Sequence, residues 1–75
     1  MSEYNGYPSW ARWNVSLWLN NDEGMYRTML HELKAAGGCR RIAAERMLNV
    51  LPRTTPDGAR YTMTAIIGAM REAGG

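Results

Sequence analysis

The chain has 75 residues and a formal net charge of +2, with one cysteine and one histidine. A single cysteine excludes a disulfide within the chain, and one histidine beside it disfavours a protein-held metal ion. No apolar run reaches the roughly 18 residues of a membrane helix, and no basic-then-apolar leader opens the chain. We therefore expect one domain over residues 1–75, located in a reducing cytoplasm and without membrane contact.

An extended arm and a central helix are predicted for the N-terminal segment. Residues 1–8 contain a glycine and a proline and have no helical period, which predicts the arm. Ser9 suits the N-cap of a helix from Trp10 to about Asn20. Apolar side chains cover most of this helix, so we expect its tryptophans in the core, with at most one of them at the surface, and a hydrogen-bond partner for Asn14. The tryptophans are Trp10, Trp13 and Trp18, and the narrow polar stripe is Arg12, Ser16 and Asn20.

Two further helices are predicted on either side of a glycine pair. The second covers about residues 23–36, begins after Asn21 or Asp22 as N-cap, and ends at a pair suited to a left-handed C-cap, Gly37-Gly38. The third covers about residues 39–51 and stops before Pro52. Its predicted core positions are Ala43, Met47, Val50 and Leu51.

A turn and a fourth helix complete the predicted fold. Residues 53–61 contain Pro56-Asp57-Gly58, a strong turn signal that permits a very short β-hairpin. Thr62 suits the N-cap of a helix over about residues 63–73. The predicted fold is mainly all-α: a compact bundle of four short helices with at most one very short hairpin around Pro56–Gly58.

Cationic side chains concentrate in the second half of the chain. Residues 1–38 carry three basic and four acidic residues, a net charge of −1, whereas residues 39–75 carry six arginines and three acidic residues, a net charge of +3. Guanidinium groups suit carboxylate and phosphate recognition, so we expect this half to bind an acidic protein surface or nucleic acid. The predicted partner-binding residues are Arg40, Arg41, Arg46, Arg53 and Arg60.

Catalysis would require a nucleophile, a base and an orienting group within reach of one another. His31 lies on the polar side of the second helix, and Cys39 at the start of the third has no base beside it. Asp22 and Glu23 are explained by the positive end of the second helix. We therefore predict no enzyme, with no catalytic residue, no metal, no cofactor and no small-molecule substrate.

A small helix-turn-helix DNA-binding regulator is the alternative function. The order of helix, turn, hairpin with arginine and threonine, and helix resembles the C-terminal module of some serine recombinases. In that arrangement Thr64, Gly68 and Arg71 would face the major groove, while Arg53 and Arg60 would contact phosphates. This face offers one arginine and neither asparagine nor glutamine, the side chains that commonly read bases. The sequence therefore favours a protein partner, with nucleic acid as the second possibility.

Two segments resemble a family of small proteins from phages, plasmids and other mobile elements. The first is the run WNVSLWLNNDEGMY, Trp13–Tyr26, and the second is TPDGARY, Thr55–Tyr61, which precedes a terminal helix. The resemblance covers most of the chain and implies a mobile-element accessory protein without a catalytic residue to carry over. The first segment is also explained structurally, as a tryptophan-rich helix followed at once by the cap of the next helix.

The resemblance suggests a function by context. Small stand-alone proteins of mobile elements are often inhibitors of host defence, and anti-CRISPR proteins are commonly of this size. By this analogy we expect the chain to act in the cytoplasm of a bacterial host, by occupying a protein surface of a CRISPR-Cas effector. A standard interface takes about 800 Å² from each partner, and arginine is common among its energetically dominant residues.

Overall fold

Four α-helices follow one another in the computed structural model, which describes residues 9–73. They are α1 Trp10–Asn21, α2 Glu23–Ala35, α3 Arg40–Val50 and α4 Met63–Ala73. Every bound lies within about one residue of the predicted one, because the capping and turn signals in the sequence are strong. The all-α architecture is confirmed, and the predicted arm over residues 1–8 lies outside the described residues.

Side-chain caps fix the starts of three helices. The Ser9 hydroxyl accepts a hydrogen bond from the Arg12 amide at 3.2 Å, and the Thr62 hydroxyl accepts one from the Ala65 amide at 3.2 Å. Asp22 ends α1 and begins α2, since its own amide donates to the Trp18 carbonyl while its carboxylate accepts from the Met25 amide at 3.0 Å. One residue therefore turns the chain between these two helices.

The end of α2 is a glycine C-cap, as predicted. Gly37 and Gly38 have φ angles of 68° and 87°, a region that side chains with a β-carbon avoid. The Gly38 amide donates to the Leu33 carbonyl at 2.8 Å and the Gly37 amide to the Lys34 carbonyl at 3.1 Å, the two bonds of a Schellman motif. The chain then reverses within residues 36–39 to begin α3.

Each helix packs against its neighbour in the chain, and α4 returns against α1 to close the bundle. The buried core is rich in methionine and alanine and also takes residues from the segment between α3 and α4. Its members are Val15, Leu19, Met29, Ala43, Ala44, Met47, Ala59, Tyr61, Ala65, Ile66, Ala69 and Met70. Small residues let the helices approach closely, and the flexible methionines fill the remaining space.

The prediction that the α1 tryptophans form the core was wrong. Trp10 is 38% exposed, and Trp13 and Trp18 are only half-buried. The predicted polar stripe instead turns inward against α4: Ser16 is 3% exposed, and the Asn20 amide donates to the Ala69 carbonyl at 3.4 Å. The Trp18 indole instead donates from Nε1 to Asp57 Oδ2 at 3.0 Å, in the segment between α3 and α4.

The segment over residues 51–62 is a tight loop. One antiparallel bridge pairs Thr54 with Arg60, and the described residues contain no strand, so the possible hairpin is reduced to this single bridge. The Thr55 amide donates to the Ala59 carbonyl at 2.8 Å, and Gly58, with φ of 97°, makes the turn. This loop places Arg53 and Arg60 on the same side of the protein, because the Tyr61 amide donates to the Arg53 carbonyl.

Candidate binding surface

Helix α3 is held in the bundle by a narrow face. Ala43, Ala44 and Met47 are fully buried, while Ile42 is 46% exposed and Val50 is 63% exposed. The prediction that Val50 lies in the core was wrong: it is the last residue of α3, about one turn beyond Met47, which is the last buried residue of the helix. Ile42, Arg46 and Val50 follow one another at four-residue intervals and share one side of the helix. We call these three residues, with Arg40 and Arg41, the α3 surface.

Arg40 and Arg41 occupy the first turn of α3, and both are exposed. Cys39 precedes them as N-cap without a side-chain hydrogen bond, and this turn contains no acidic residue. Cations at the positive end of a helix dipole are unfavourable, typically by about 0.3–1 kcal/mol. The pair therefore does not stabilise α3, and residues that break a local rule in this manner are candidates for a functional role.

Arg46 differs from the other four arginines because it is engaged within the fold. Its Nε donates to Glu32 Oε1 of α2 at 2.5 Å, and the Glu32 side chain is only 12% exposed. This ion pair ties the two helices together on their outer side. Arg46 is thus better explained as an internal contact than as a free anchor for a partner.

Arg53 and Arg60 line a cleft where α3 ends against the loop. The cleft has a volume of about 360 Å³, and we call it the arginine cleft. Both arginines are exposed, and no acidic residue lines the cavity. The complete lining is Leu48, Leu51, Pro52, Arg53, Arg60 and Tyr61. Sequence reasoning found the two arginines but missed the aliphatic residues beside them, because their helix was read as ending in the core.

The five predicted arginines therefore do not form one cluster. Arg40 and Arg41 lie at one end of α3 and the arginine cleft at the other, about 15 Å apart along an eleven-residue helix. Arg46 lies between them, in its ion pair with Glu32. Among residues 9–73, no carboxylate pairs with the arginines at either end. A partner that contacts both ends has to cover the length of α3.

A hydrogen-bond network, buried at Asn14 and Thr55 and exposed at Asp57, holds the loop of the arginine cleft against α1. The Asn14 amide donates to Asp57 Oδ2 at 2.9 Å, and the Trp18 indole Nε1 donates to the same oxygen at 3.0 Å. The Thr55 hydroxyl donates to Asn14 Oδ1 at 2.6 Å and accepts from the Ala59 amide at 3.1 Å. This network supplies the partner that Asn14 was predicted to need.

Two titratable groups next to the cleft have shifted pKa values. The hydrogen bonds from Asn14 and Trp18 stabilise the ionised Asp57 carboxylate, so its pKa lies below 3.8. Burial raises the pKa of Tyr61 above 10.0, and the charge of Asp22 raises it further. The Tyr61 hydroxyl donates to the Met25 sulfur of α2 at 3.5 Å.

A second hollow, of about 220 Å³, lies beside the α1–α2 junction. Its lining is Leu17, Trp18, Asn21 and Asp22. Leu17 is 37% exposed, and the Trp18 indole nitrogen is already engaged by Asp57. The hollow offers an apolar wall with few free polar groups, and it lacks the uncompensated charge of the arginine cleft.

The residues once considered for chemistry are dispersed. His31 and Cys39 are both exposed and lie on different elements. Within residues 9–73 no three His, Cys, Asp or Glu side chains come together in a way that would hold a metal ion. Of the residues proposed to face the major groove, Thr64 and Arg71 are exposed, and residues 51–62 join α3 to α4. Helix-turn-helix modules use a turn of about three or four residues.

Comparison with known proteins identifies the family of the chain. A model described as a family of unknown function, DUF7249, matches residues 1–73. No curated protein matches the chain, and no solved structure matches it. In the described part of the chain no helix is both long and apolar enough to cross a membrane.

Proposed function

We propose that this chain, which belongs to the DUF7249 family of unknown function, is a non-enzymatic protein of a mobile element that binds and inhibits a host defence complex. A CRISPR-Cas effector is the target class that we favour, and the resemblance of Trp13–Tyr26 and Thr55–Tyr61 to phage and plasmid proteins supports this choice. The observation that carries the proposal is the exposure of α3, with apolar side chains between two pairs of arginines.

The composition of this region matches what protein interfaces use. Interface centres are apolar, with arginine enriched and lysine depleted, and the α3 surface has Ile42 and Val50 exposed between arginines at both ends. A standard footprint of about 800 Å² is roughly one sixth of the 4821 Å² accessible surface of the protein.

The positive charge of this region indicates that the proposed partner has an acidic surface. Arg40, Arg41, Arg53 and Arg60 are exposed, and among residues 9–73 none of them is in an ion pair. An acidic protein surface would be attracted over a long range and would dock faster at low salt. Inhibition would follow by occupation, since a bound 75-residue domain covers the effector surface it contacts.

Co-elution with purified effector complexes in size-exclusion chromatography tests the proposal. The chain is mixed with representative CRISPR effector complexes, together with the double variant Arg40→Glu/Arg41→Glu and the control variant Arg71→Glu. We expect the wild-type chain and the control to co-elute with one effector and the double variant to elute alone with an unchanged circular dichroism spectrum. Absence of co-elution with every effector type would contradict the defence-inhibitor proposal.

DNA binding is the second candidate function, and one observation favours a helix-turn-helix made of α2 and α3. The connection between α2 and α3 is residues 36–39, with two positive-φ glycines, which is the length of a helix-turn-helix turn. Arg40 and Arg41 would then begin the helix that enters the groove, as in helix-turn-helix proteins. A gel shift with duplex DNA over a series of salt concentrations tests this form, and tight binding that weakens steeply with salt would support it.

A further inference from the structure

The arginine cleft combines two chemistries in one cavity. Most of its lining surface is polar, with Arg53 and Arg60 among the lining residues, and Leu48, Leu51 and Pro52 contribute a smaller aliphatic part. None of the lining residues is acidic, so the positive charge has no compensation inside the cleft. A ligand that satisfies both parts must carry a negative group next to an aliphatic one.

We propose that the arginine cleft binds an acidic segment of a partner protein, in which a carboxylate side chain neighbours a leucine-like side chain. The carboxylates pair with Arg53 and Arg60, and the apolar side chain lies on the wall of Leu48, Leu51 and Pro52. The planar guanidinium fork matches a carboxylate through two parallel hydrogen bonds. The partner in this inference rests on the proposed function, whereas the chemistry of the cleft is testable without it.

The shape and aromatic content of the cleft favour a peptide over a nucleic acid. A volume of about 360 Å³ is at the lower end of the range for ligand pockets and suits one or two side chains. Proteins that bind single-stranded nucleic acid stack bases on exposed aromatic rings. The one aromatic residue in the lining, Tyr61, is 7% exposed and donates its hydroxyl to Met25. An aliphatic wall without an exposed ring offers a base nothing to stack on.

The cleft is held in shape before any ligand arrives. Thr55 and Asp57, in the loop between the two arginines, are hydrogen-bonded to Asn14 of α1. The Tyr61 amide bonds the Arg53 carbonyl across the loop at 3.2 Å. A preorganised site loses little conformational entropy on binding, so a short peptide is sufficient as a probe.

An NMR titration of the full-length protein with a capped peptide of alternating leucine and glutamate tests the inference. We expect the largest amide shift changes at Leu48, Leu51, Arg53 and Arg60. Replacing the glutamates by lysine, or the leucines by serine, is expected to weaken the affinity about tenfold or more. The variant Arg53→Gln/Arg60→Gln should lose binding to the same extent, while Arg71→Gln, the same change at an exposed arginine outside the cleft, should leave the affinity unchanged.

Several results would overturn the inference. Shift changes spread over the surface or centred elsewhere would do so, and so would equal affinity for the lysine peptide. Stronger binding of duplex or single-stranded DNA at the cleft would assign it to nucleic acid instead. The wild-type shift map keeps the test decisive if the double variant is unstable. If the peptide does not bind but the chain still co-elutes with an effector, only the assignment of the cleft is wrong. If the peptide binds but the chain co-elutes with no effector, the effector is not the partner.

Discussion

The indole nitrogen of Trp18 donates a hydrogen bond to the carboxylate of Asp57 at 3.0 Å, across 39 positions of sequence. Asn14, one turn earlier on the same helix, donates to the same carboxylate oxygen at 2.9 Å. These bonds join the segments Trp13–Tyr26 and Thr55–Tyr61. Asn14 and Trp18 therefore have a structural role, in which α1 positions the loop that carries Arg53 and Arg60.

Replacing Asn14 by alanine is expected to destabilise the protein more than the same change at Asn21, an exposed residue of the same helix. In Asn14→Ala the buried Thr55 hydroxyl loses its acceptor, and an unsatisfied buried polar group costs about 1–3 kcal/mol. Asn21→Ala on the same helix removes only an exposed bond to the Leu17 carbonyl, and we expect a change within about 0.5 kcal/mol. Urea unfolding of both variants measures the difference, and equal midpoints would show that the network contributes little.

Acid should weaken the contact between α1 and the loop. Because the folded protein holds the pKa of Asp57 below 3.8, its stabilising contribution is present above that pH and is lost as the pH falls through the folded pKa. The variant Asp57→Asn cannot ionise, so its stability should depend less on pH in this range. Thermal unfolding of both proteins at a series of acidic pH values checks this. Parallel curves for the two proteins would contradict the assignment.

Alkaline solution should destabilise the fold through Tyr61. Its pKa is raised above 10.0 by burial and by Asp22, so the folded state favours the neutral phenol. The stabilising contribution is complete below pH 10 and is lost as the pH rises through the folded pKa. Titration of phenolate absorbance should show one late-ionising tyrosine that is missing from Tyr61→Phe. If the late phase persists in that variant, the shifted group is another tyrosine.

Two glycine-to-alanine changes should have opposite signs. Gly38 has φ of 87°, where a β-carbon costs about 1–2 kcal/mol, so Gly38→Ala should lower the free energy of unfolding. Gly68 lies inside α4, and an added β-carbon meets no heavy atom within 4 Å. Gly68→Ala should therefore raise the stability by about 0.5–1 kcal/mol. Urea unfolding of both variants measures the two changes in free energy. The same sign in both would contradict either the positive φ of Gly38 or the position of Gly68 inside α4.

Local signals in the sequence predict where each helix begins and ends, but not which side of each helix is buried. Ser9, Asp22, Gly37 and Thr62 act through bonds to residues close by in the chain, so sequence reasoning placed the helix ends correctly. Burial depends on which helix lies opposite, and that information is absent from the period of a single helix. The arc of apolar residues on α1 therefore predicts buried tryptophans, whereas the residues of α1 that are buried are Asn14, Val15, Ser16 and Leu19.

The candidate site was predictable only in part for the same reason. The arginine excess located the charged half of the chain, and exposure of Arg40, Arg41, Arg53 and Arg60 agrees with that expectation. The division of these arginines between two ends of α3 depends on where the helix stops and how the loop folds back. The ion pair of Arg46 with Glu32 joins residues 14 positions apart on different helices, so no local sequence pattern predicts it.

The most direct test of the proposed function is protection of a phage inside cells. Bacteria with an active CRISPR-Cas system directed against a phage would express the wild-type chain, Arg40→Glu/Arg41→Glu or Arg71→Glu, and plating of that phage would be counted. We expect the wild-type chain and the Arg71 variant to restore plating by at least about tenfold, and the double variant not to restore it. Unrestored plating across the CRISPR types tried, or full restoration by the double variant, would contradict it.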